Sequence, residues 1–212
     1  MVKKKTYGQI YKDYLKKGIK LEKYQKVGII FLVVVISGFV GWLYEFLLIW
    51  ATEGQIYMQG GNLLPWMNIY AIGALLVIPV TYKIRQYPWA VFLASALVTG
   101  VVELIGGWLA YVLFDGARYW NYDSGWWAFG SINGFVCPLS VTIFGIGSLM
   151  LVYFVVPFCI YLAKRMSKRA FLVLAVSLFT LVMMDEITNL VLKNLGEPTA
   201  MEFYQSLGLE YK

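Results

Sequence analysis

Three carboxylates stand inside long apolar stretches of this sequence, at Glu45, Glu103 and Asp185. A charged side chain at membrane depth costs about 2.5 kcal/mol or more, so each is a candidate functional residue. Counting from the basic end of each stretch places all three in the same outer half of a bilayer. A shared pocket of this kind would favour a cation or a positively charged organic group, or would hold protons. The alternative is that each carboxyl is protonated and hydrogen-bonds a neighbouring Tyr, Ser or backbone carbonyl.

Small residues surround two of these carboxylates. Ala96, Gly100, Gly107 and Ala110 recur at helical spacing around Glu103, so this stripe allows another helix to approach closely and predicts that Glu103 faces protein. Glu45 shares a face with two earlier glycines, and we expect the two glycine faces to pack together.

Asp185 occupies a broad polar helix face, and the same periodicity predicts that Glu186 points elsewhere. The predicted ligand-binding set is completed by three residues from the aromatic and polar segment after Glu103, namely Trp120, Tyr122 and Asn133.

Composition assigns the chain to a class. Hydrophobic residues make up 60% of it, charged residues 14%, and histidine is absent. Such a mixture predicts an integral membrane protein. The net charge of +6 is explained by membrane lipids rather than by nucleic acid. No P-loop, HExxH, CxxC or GxSxG pattern occurs, so we predict no enzymatic activity, no catalytic residues, no metal and no cofactor.

The predicted fold is all-α, a polytopic transmembrane helix bundle of about five spans. The spans cover about residues 27–51, 63–82, 89–114, the stretch from 136 to 162, and 170–192. Residues 126–162 are too long for one span and barely long enough for two, and we favour a re-entrant or irregular start through Asn133 before one long helix. The domains are a basic segment (1–26), a transmembrane domain (27–192) and an exposed extracytoplasmic tail (193–212).

Nine lysines among the first 26 residues, interleaved with aromatic residues, predict an amphipathic interfacial helix on the inner leaflet. A solvated charged tail is the alternative. With five spans and the N-terminus inside, fifteen Lys and Arg residues lie on the cytoplasmic side and three on the outer side. The positive-inside rule therefore predicts a cytoplasmic N-terminus and an extracytoplasmic C-terminus in a multi-pass bacterial cell-membrane protein.

Several segments resemble a known family. They are GFVGWLYEFLL at 38–48, GQIYMQGGNLLPWMNIYAIGALL at 54–76, VVELIGGWLAYVLFDGARYWNYD at 101–123 and GSINGFVCPLSVTIFGIGSLMLVYFVVP at 130–157. Together they resemble the bacterial putative ABC-transporter permeases of the CmpB type. Glu45, Glu103 and Asn133 fall on positions that match the family pattern, and the resemblance implies a possible ATPase subunit in trans.

The expected function is thus that of a permease-like membrane protein, which binds or transports a small ligand through an outward-facing acidic pocket that favours a cation. One alternative is a substrate-capture subunit of an energy-coupling transporter, which six spans and a cytoplasmic C-terminus would favour. A second alternative is a membrane scaffold or lipid-binding regulator that transports nothing.

Overall fold

The computed structural model describes residues 5–16, 18–54, 57–58, 61–113, 116, 118 and 120–211. A π turn, Leu151–Val155, joins two of the helices, so that Pro138–Arg165 is one continuous helix, and a short 3₁₀ turn covers Gly125–Ala128. The α-helices are α1 (Tyr7–Lys16), α2 (Lys23–Glu53), α3 (Asn68–Thr81), α4 (Pro88–Leu113), α5 (Pro138–Met150), α6 (Val156–Arg165), α7 (Lys168–Leu195) and α8 (Ala200–Ser206). Two short strands, β1 (Tyr57–Met58) and β2 (Glu210–Tyr211), pair in parallel.

The fold is all-α, as predicted. Four helices are long and apolar enough to cross a membrane, namely Lys23–Thr52, Pro88–Leu113, Pro138–Arg165 and Lys168–Leu195. Residues 138–162 therefore belong to a single helix with an irregular segment before it. Residues 1–4 and 17 of the predicted basic segment, residue 114 of the predicted third span and residue 212 of the predicted tail lie outside the described residues.

The prediction of a helical span over 63–82 is wrong for residues 63–67, which are not helical. Helix α3 has 14 residues, or about 21 Å of helical rise, which is less than the ~30 Å of a bilayer core. The backbone N–H groups of Leu63 and Leu64 donate to Asp185 instead of to helical carbonyls, and Pro65 has no N–H to donate. Helix formation is therefore delayed to Asn68.

The chain divides into two compact units, of which unit 1 comprises Met1–Leu75 and Val155–Lys212, and unit 2 comprises Leu76–Phe154. In unit 1, α2 and α7 run parallel, because residues later in α2 contact residues later in α7. Gly28 lies against Phe171, Phe31 stacks on Phe179 with ring centroids 4.1 Å apart, and Val34 shares a buried cluster with Val182.

The starts of α2 and α7 and the end of α6 meet at one end of unit 1. Gln25 Nε2 donates to the carbonyl oxygen of Ala163 at 2.7 Å, and Lys164 Nζ donates to the carbonyl oxygen of Lys20 at 2.8 Å. This end also carries many exposed basic side chains, namely Lys12, Lys16, Lys20, Lys23, Lys26, Arg165, Lys168 and Arg169.

The N-terminal helix is shorter than predicted, because α1 ends at Lys16 and α2 begins at Lys23. Its apolar side chains Ile10 and Tyr14 are buried, and the Tyr7 ring lies 5.6 Å from that of Tyr161 in α6. Part of the apolar face that we expected to contact lipid therefore contacts protein.

In unit 2, α4 and α5 pack antiparallel along the small-residue stripe of α4. Gly100 lies against Val141, and Gly107 lies against Phe135, just before α5. Phe92, near the start of α4, packs on Gly145 of α5. The spacing of small residues around Glu103 predicts this close approach of another helix at the glycines.

Candidate functional site

Aromatic side chains fill the glycine face of α2. A Cβ at Gly38 would collide with the Trp66 indole, and a Cβ at Gly41 would collide with the Tyr70 ring. Trp66 is 3% exposed, and its Nε1 donates to the carbonyl oxygen of Val34 at 3.2 Å. The glycines are therefore required so that a non-helical segment and the start of α3 can lie against the middle of α2.

Glu45 lies on the same side of α2, eight residues before its last residue, Glu53. The Tyr70 hydroxyl donates to Glu45 Oε1 at 2.6 Å. Because Tyr70 also packs on Gly41, one residue of α3 both fills the glycine face and binds the carboxylate.

Asp185 and Glu186 of α7 hold the non-helical segment 61–67 and the first residue of α3. Leu63 N–H donates to Asp185 Oδ1 at 3.2 Å, and Leu64 N–H donates to Asp185 Oδ2 at 2.7 Å. The side-chain amides of Asn62 and Asn68 donate to the two oxygens of Glu186 at 2.8 and 2.7 Å. The prediction that Glu186 points elsewhere is wrong, because this segment bends around α7 and reaches two successive residues.

Most of the described residues after α7 are exposed, and a few of them contact the same region. The Asn189 amide donates to Asp185 Oδ1 at 3.0 Å, and Asn189 Oδ1 accepts from the N–H of Ala200 at the start of α8 at 2.9 Å. The Tyr204 hydroxyl donates to the carbonyl oxygen of Leu63. Burial and the nearby Asp185 carboxylate raise the pKa of Tyr204, so it stays protonated as a donor.

In unit 2, Glu103 is buried with 6% of its surface exposed, and it lies ten residues before the end of α4 at Leu113. The Tyr122 hydroxyl donates to Glu103 Oε1 at 2.7 Å, and Ser140 Oγ lies 2.8 Å from Glu103 Oε2. Burial raises the pKa of Tyr122, which keeps the phenol protonated. Glu103 therefore links α4, α5 and the segment between them.

Ser140 also completes the N-terminal cap of α5. The Cys137 thiol accepts from Ser140 N–H, and Ser140 Oγ accepts from Cys137 N–H, each at 3.3 Å. Pro138 stands at the start of this helix, where its missing N–H costs nothing. The cap thus fixes Ser140 opposite Glu103.

Arg118 organises the segment that carries Tyr122. Its guanidinium donates to the carbonyl oxygen of Asn133 at 2.8 Å, forms an ion pair with Asp123 at 3.5 Å, and lies 4.9 Å from the centroid of the Phe135 ring. Trp120 Nε1 donates to the carbonyl oxygen of Phe135 at 2.8 Å. The predicted site residues Trp120 and Asn133 therefore have structural contacts here, Asn133 through its backbone, which adopts a positive φ of 51°.

The two units share one local arrangement. In each, a long apolar helix carries glycines and a glutamate, a non-helical segment inserts an aromatic side chain against a glycine, and a tyrosine hydroxyl binds the glutamate. The expected partner of each glycine face was the other face, but each is filled from within its own unit. The sequence patterns missed the partners Tyr70, Ser140, Asn62, Asn68 and Glu186, although Asn62 and Asn68 stand out as polar residues at the start of an apolar stretch.

Comparison with known proteins gives one family. A family model described as "Putative ABC-transporter type IV" matches residues 31–190. No curated protein and no solved structure matches the chain significantly.

Proposed function

Because the chain belongs to the putative ABC-transporter type IV family, we propose that it is a permease-like membrane component that binds a small cationic ligand at the unit 1 carboxylates, Glu45, Asp185 and Glu186.

The charge balance of these three carboxylates supports the proposal. Among the described residues, their hydrogen bonds come from neutral groups, namely a tyrosine hydroxyl, two backbone N–H groups and three asparagine amides. The two ion pairs found among the described residues, Lys5 with Asp13 and Arg118 with Asp123, involve none of them. A cationic ligand would supply the missing countercharge.

The parallel arrangement of α2 and α7 supports five membrane crossings. If both helices span the membrane in the same direction, the segments before α2 and after α7 lie on opposite sides. The chain then crosses the membrane an odd number of times, so a fifth crossing is needed besides the four long helices. Helix α3 with segment 61–67 is the remaining apolar part of the chain. Backbone outside a helix is tolerated at membrane depth where protein groups bind it, as Asp185 does here.

The basic end of unit 1 supports a cytoplasmic location for the N-terminus by the positive-inside rule. A C-terminus on the outer side counts against the substrate-capture alternative. The family implies an ATPase partner, and α1 is a candidate contact for it, because Ile10 and Tyr14 fix it to protein while Lys12 and Lys16 stay exposed.

The test is thermal unfolding of the purified full-length protein with a panel of small amines and quaternary ammonium ions, compared with sodium and potassium. A ligand present at 100 times its Kd stabilises the folded state by about 2.7 kcal/mol. We expect at least one organic cation to raise the melting temperature of the parent and to lose this effect in Glu45→Gln, which keeps an acceptor for Tyr70.

The matched control is Glu197→Gln, which removes an exposed carboxylate beyond the end of α7 and should leave the ligand effect unchanged. If no cation stabilises the parent, or if all variants respond alike, the cation site is rejected. A membrane scaffold or lipid-binding regulator would then be the better interpretation, with Asp185 and Glu186 serving only to hold segment 61–68.

A further inference from the structure

Ser140 Oγ makes two close oxygen contacts, and its single hydrogen can point directly at only one of them. It lies 2.8 Å from Glu103 Oε2 and 2.9 Å from the carbonyl oxygen of Cys137. A serine hydroxyl has one hydrogen to donate. A carbonyl oxygen can only accept, so if Ser140 donates to Cys137, the contact with Glu103 requires a proton on the carboxyl.

Among the described residues of unit 2, no contact brings a basic side chain to Glu103 in place of that proton. Unit 2 contains three basic residues, all of them described: Lys83, Arg85 and Arg118. Arg118 forms an ion pair with Asp123. Lys83 and Arg85 both precede α4. The first residue of α4 lies 15 positions, or about 22 Å of helical rise, before Glu103. The other titratable groups at the site, the Tyr122 phenol and the Cys137 thiol, are not cations.

We propose that Glu103 is held as a neutral carboxylic acid, and that Tyr122, Glu103 and Ser140 together form a proton-binding site in unit 2. The direction of each hydrogen bond follows. Tyr122 donates to Glu103 Oε1, the protonated Oε2 donates to Ser140 Oγ, and Ser140 donates to the carbonyl oxygen of Cys137. This site is independent of the cation site proposed for unit 1.

Loss of the proton would change the packing of unit 2. Ser140 would have to turn its hydrogen from Cys137 to the carboxylate, and a charge would be left in a side chain that is 6% exposed. The proton therefore helps to hold the segment that carries Tyr122 and the start of α5 against α4.

Infrared spectroscopy of the full-length protein in lipid nanodiscs tests the proposal directly. The spectrum is recorded at about pH 8, where solvent-exposed carboxyl groups are ionised. We expect the parent to show a carbonyl stretch of a protonated carboxylic acid, and Glu103→Gln to lose it. Glu45→Gln is the matched control and should keep the Glu103 band. If Glu103→Gln instead loses intensity from the carboxylate stretch, Glu103 is ionised and the proposal is overturned.

A second variant serves if Glu103→Gln does not fold. Ser140→Ala removes the oxygen that accepts the carboxyl proton, so the band assigned to Glu103 should remain and shift to the higher frequency of a more weakly hydrogen-bonded acid. A spectrum with no protonated-acid band in both the parent and Ser140→Ala would contradict the proposal.

Discussion

Single residues decide how closely the elements of unit 2 approach each other, and two adjacent glycines differ sharply in this respect. A Cβ at Gly107 would lie 2.9 Å from Phe135 Cδ1 and 3.3 Å from Phe135 Cβ, whereas a Cβ at Gly106 would meet nothing within 4 Å. Phe135 is buried and held at its backbone by the Trp120 indole, so it has little room to move. Gly107 is therefore a packing requirement, and Gly106 is not.

We expect Gly107→Ala to destabilise the folded protein by about 1–3 kcal/mol, the usual cost of overpacking. Gly106→Ala should be neutral or stabilising by up to about 1 kcal/mol, because alanine favours a helix. Thermal unfolding of both variants in the same detergent measures the difference. Equal melting temperatures for the two variants would mean that the Phe135 contact does not limit the packing of α4.

At the level of elements, α8 is only lightly attached to the rest of unit 1. Most of its seven residues are exposed, and its contacts to the rest of the unit include the N–H of Ala200 bound by Asn189 and the Tyr204 hydroxyl bound to Leu63. Elements with few buried contacts open locally at low free energy. Since Leu63 and Leu64 also bind Asp185, movement of α8 would expose the region around that carboxylate.

Tyr204→Phe should loosen α8 without unfolding α7. Removing one hydrogen bond costs about 0.5–1.5 kcal/mol, so the backbone amides of 200–206 should exchange with deuterium roughly two to ten times faster. Hydrogen-exchange mass spectrometry of the full-length protein makes the measurement. Met201→Ala changes an exposed side chain of the same helix and serves as the control. Unchanged exchange in Tyr204→Phe would show that the bond to Leu63 does not hold α8.

For the whole molecule, the parallel course of α2 and α7 fixes the relation between the two ends of the chain. The basic residues gather where α2 and α7 begin, and α8 follows the opposite end of α7. If both helices cross the membrane, α1 and α8 are separated by it. The fifteen-to-three distribution of Lys and Arg favours α1 on the cytoplasmic side.

Single cysteines test this orientation in intact cells, on a background of Cys137→Ser and Cys159→Ala. Ser206→Cys and Ser124→Cys should react with a membrane-impermeant maleimide, and Lys12→Cys should react only after permeabilisation. Protection of Ser206→Cys alone would mean an even number of crossings and would contradict the parallel arrangement of α2 and α7. Protection of both Ser206→Cys and Ser124→Cys would reverse the orientation.

Hydropathy and small-residue spacing by themselves determined the membrane class, the four long helices and the close packing around Glu103. These features depend on residues within a few helical turns of one another, and helical periodicity assigns such residues to one face. The single long helix after Asn133 also followed from length, since the apolar residues of 126–162 barely suffice for two spans.

The partners of the carboxylates were decided only by the tertiary structure. Leu64 and Asp185 are 121 residues apart in sequence, and Asn62 and Glu186 are 124 apart, so no local period relates them. The same long-range hydrogen bonds explain why α3 begins at Asn68 and why Glu186 accepts hydrogen bonds from asparagine amides. Docking of α8 depends likewise on Tyr204 meeting Leu63, 141 residues away. A pattern along one helix predicts which face is polar, but the group that meets this face is set by how distant segments pack.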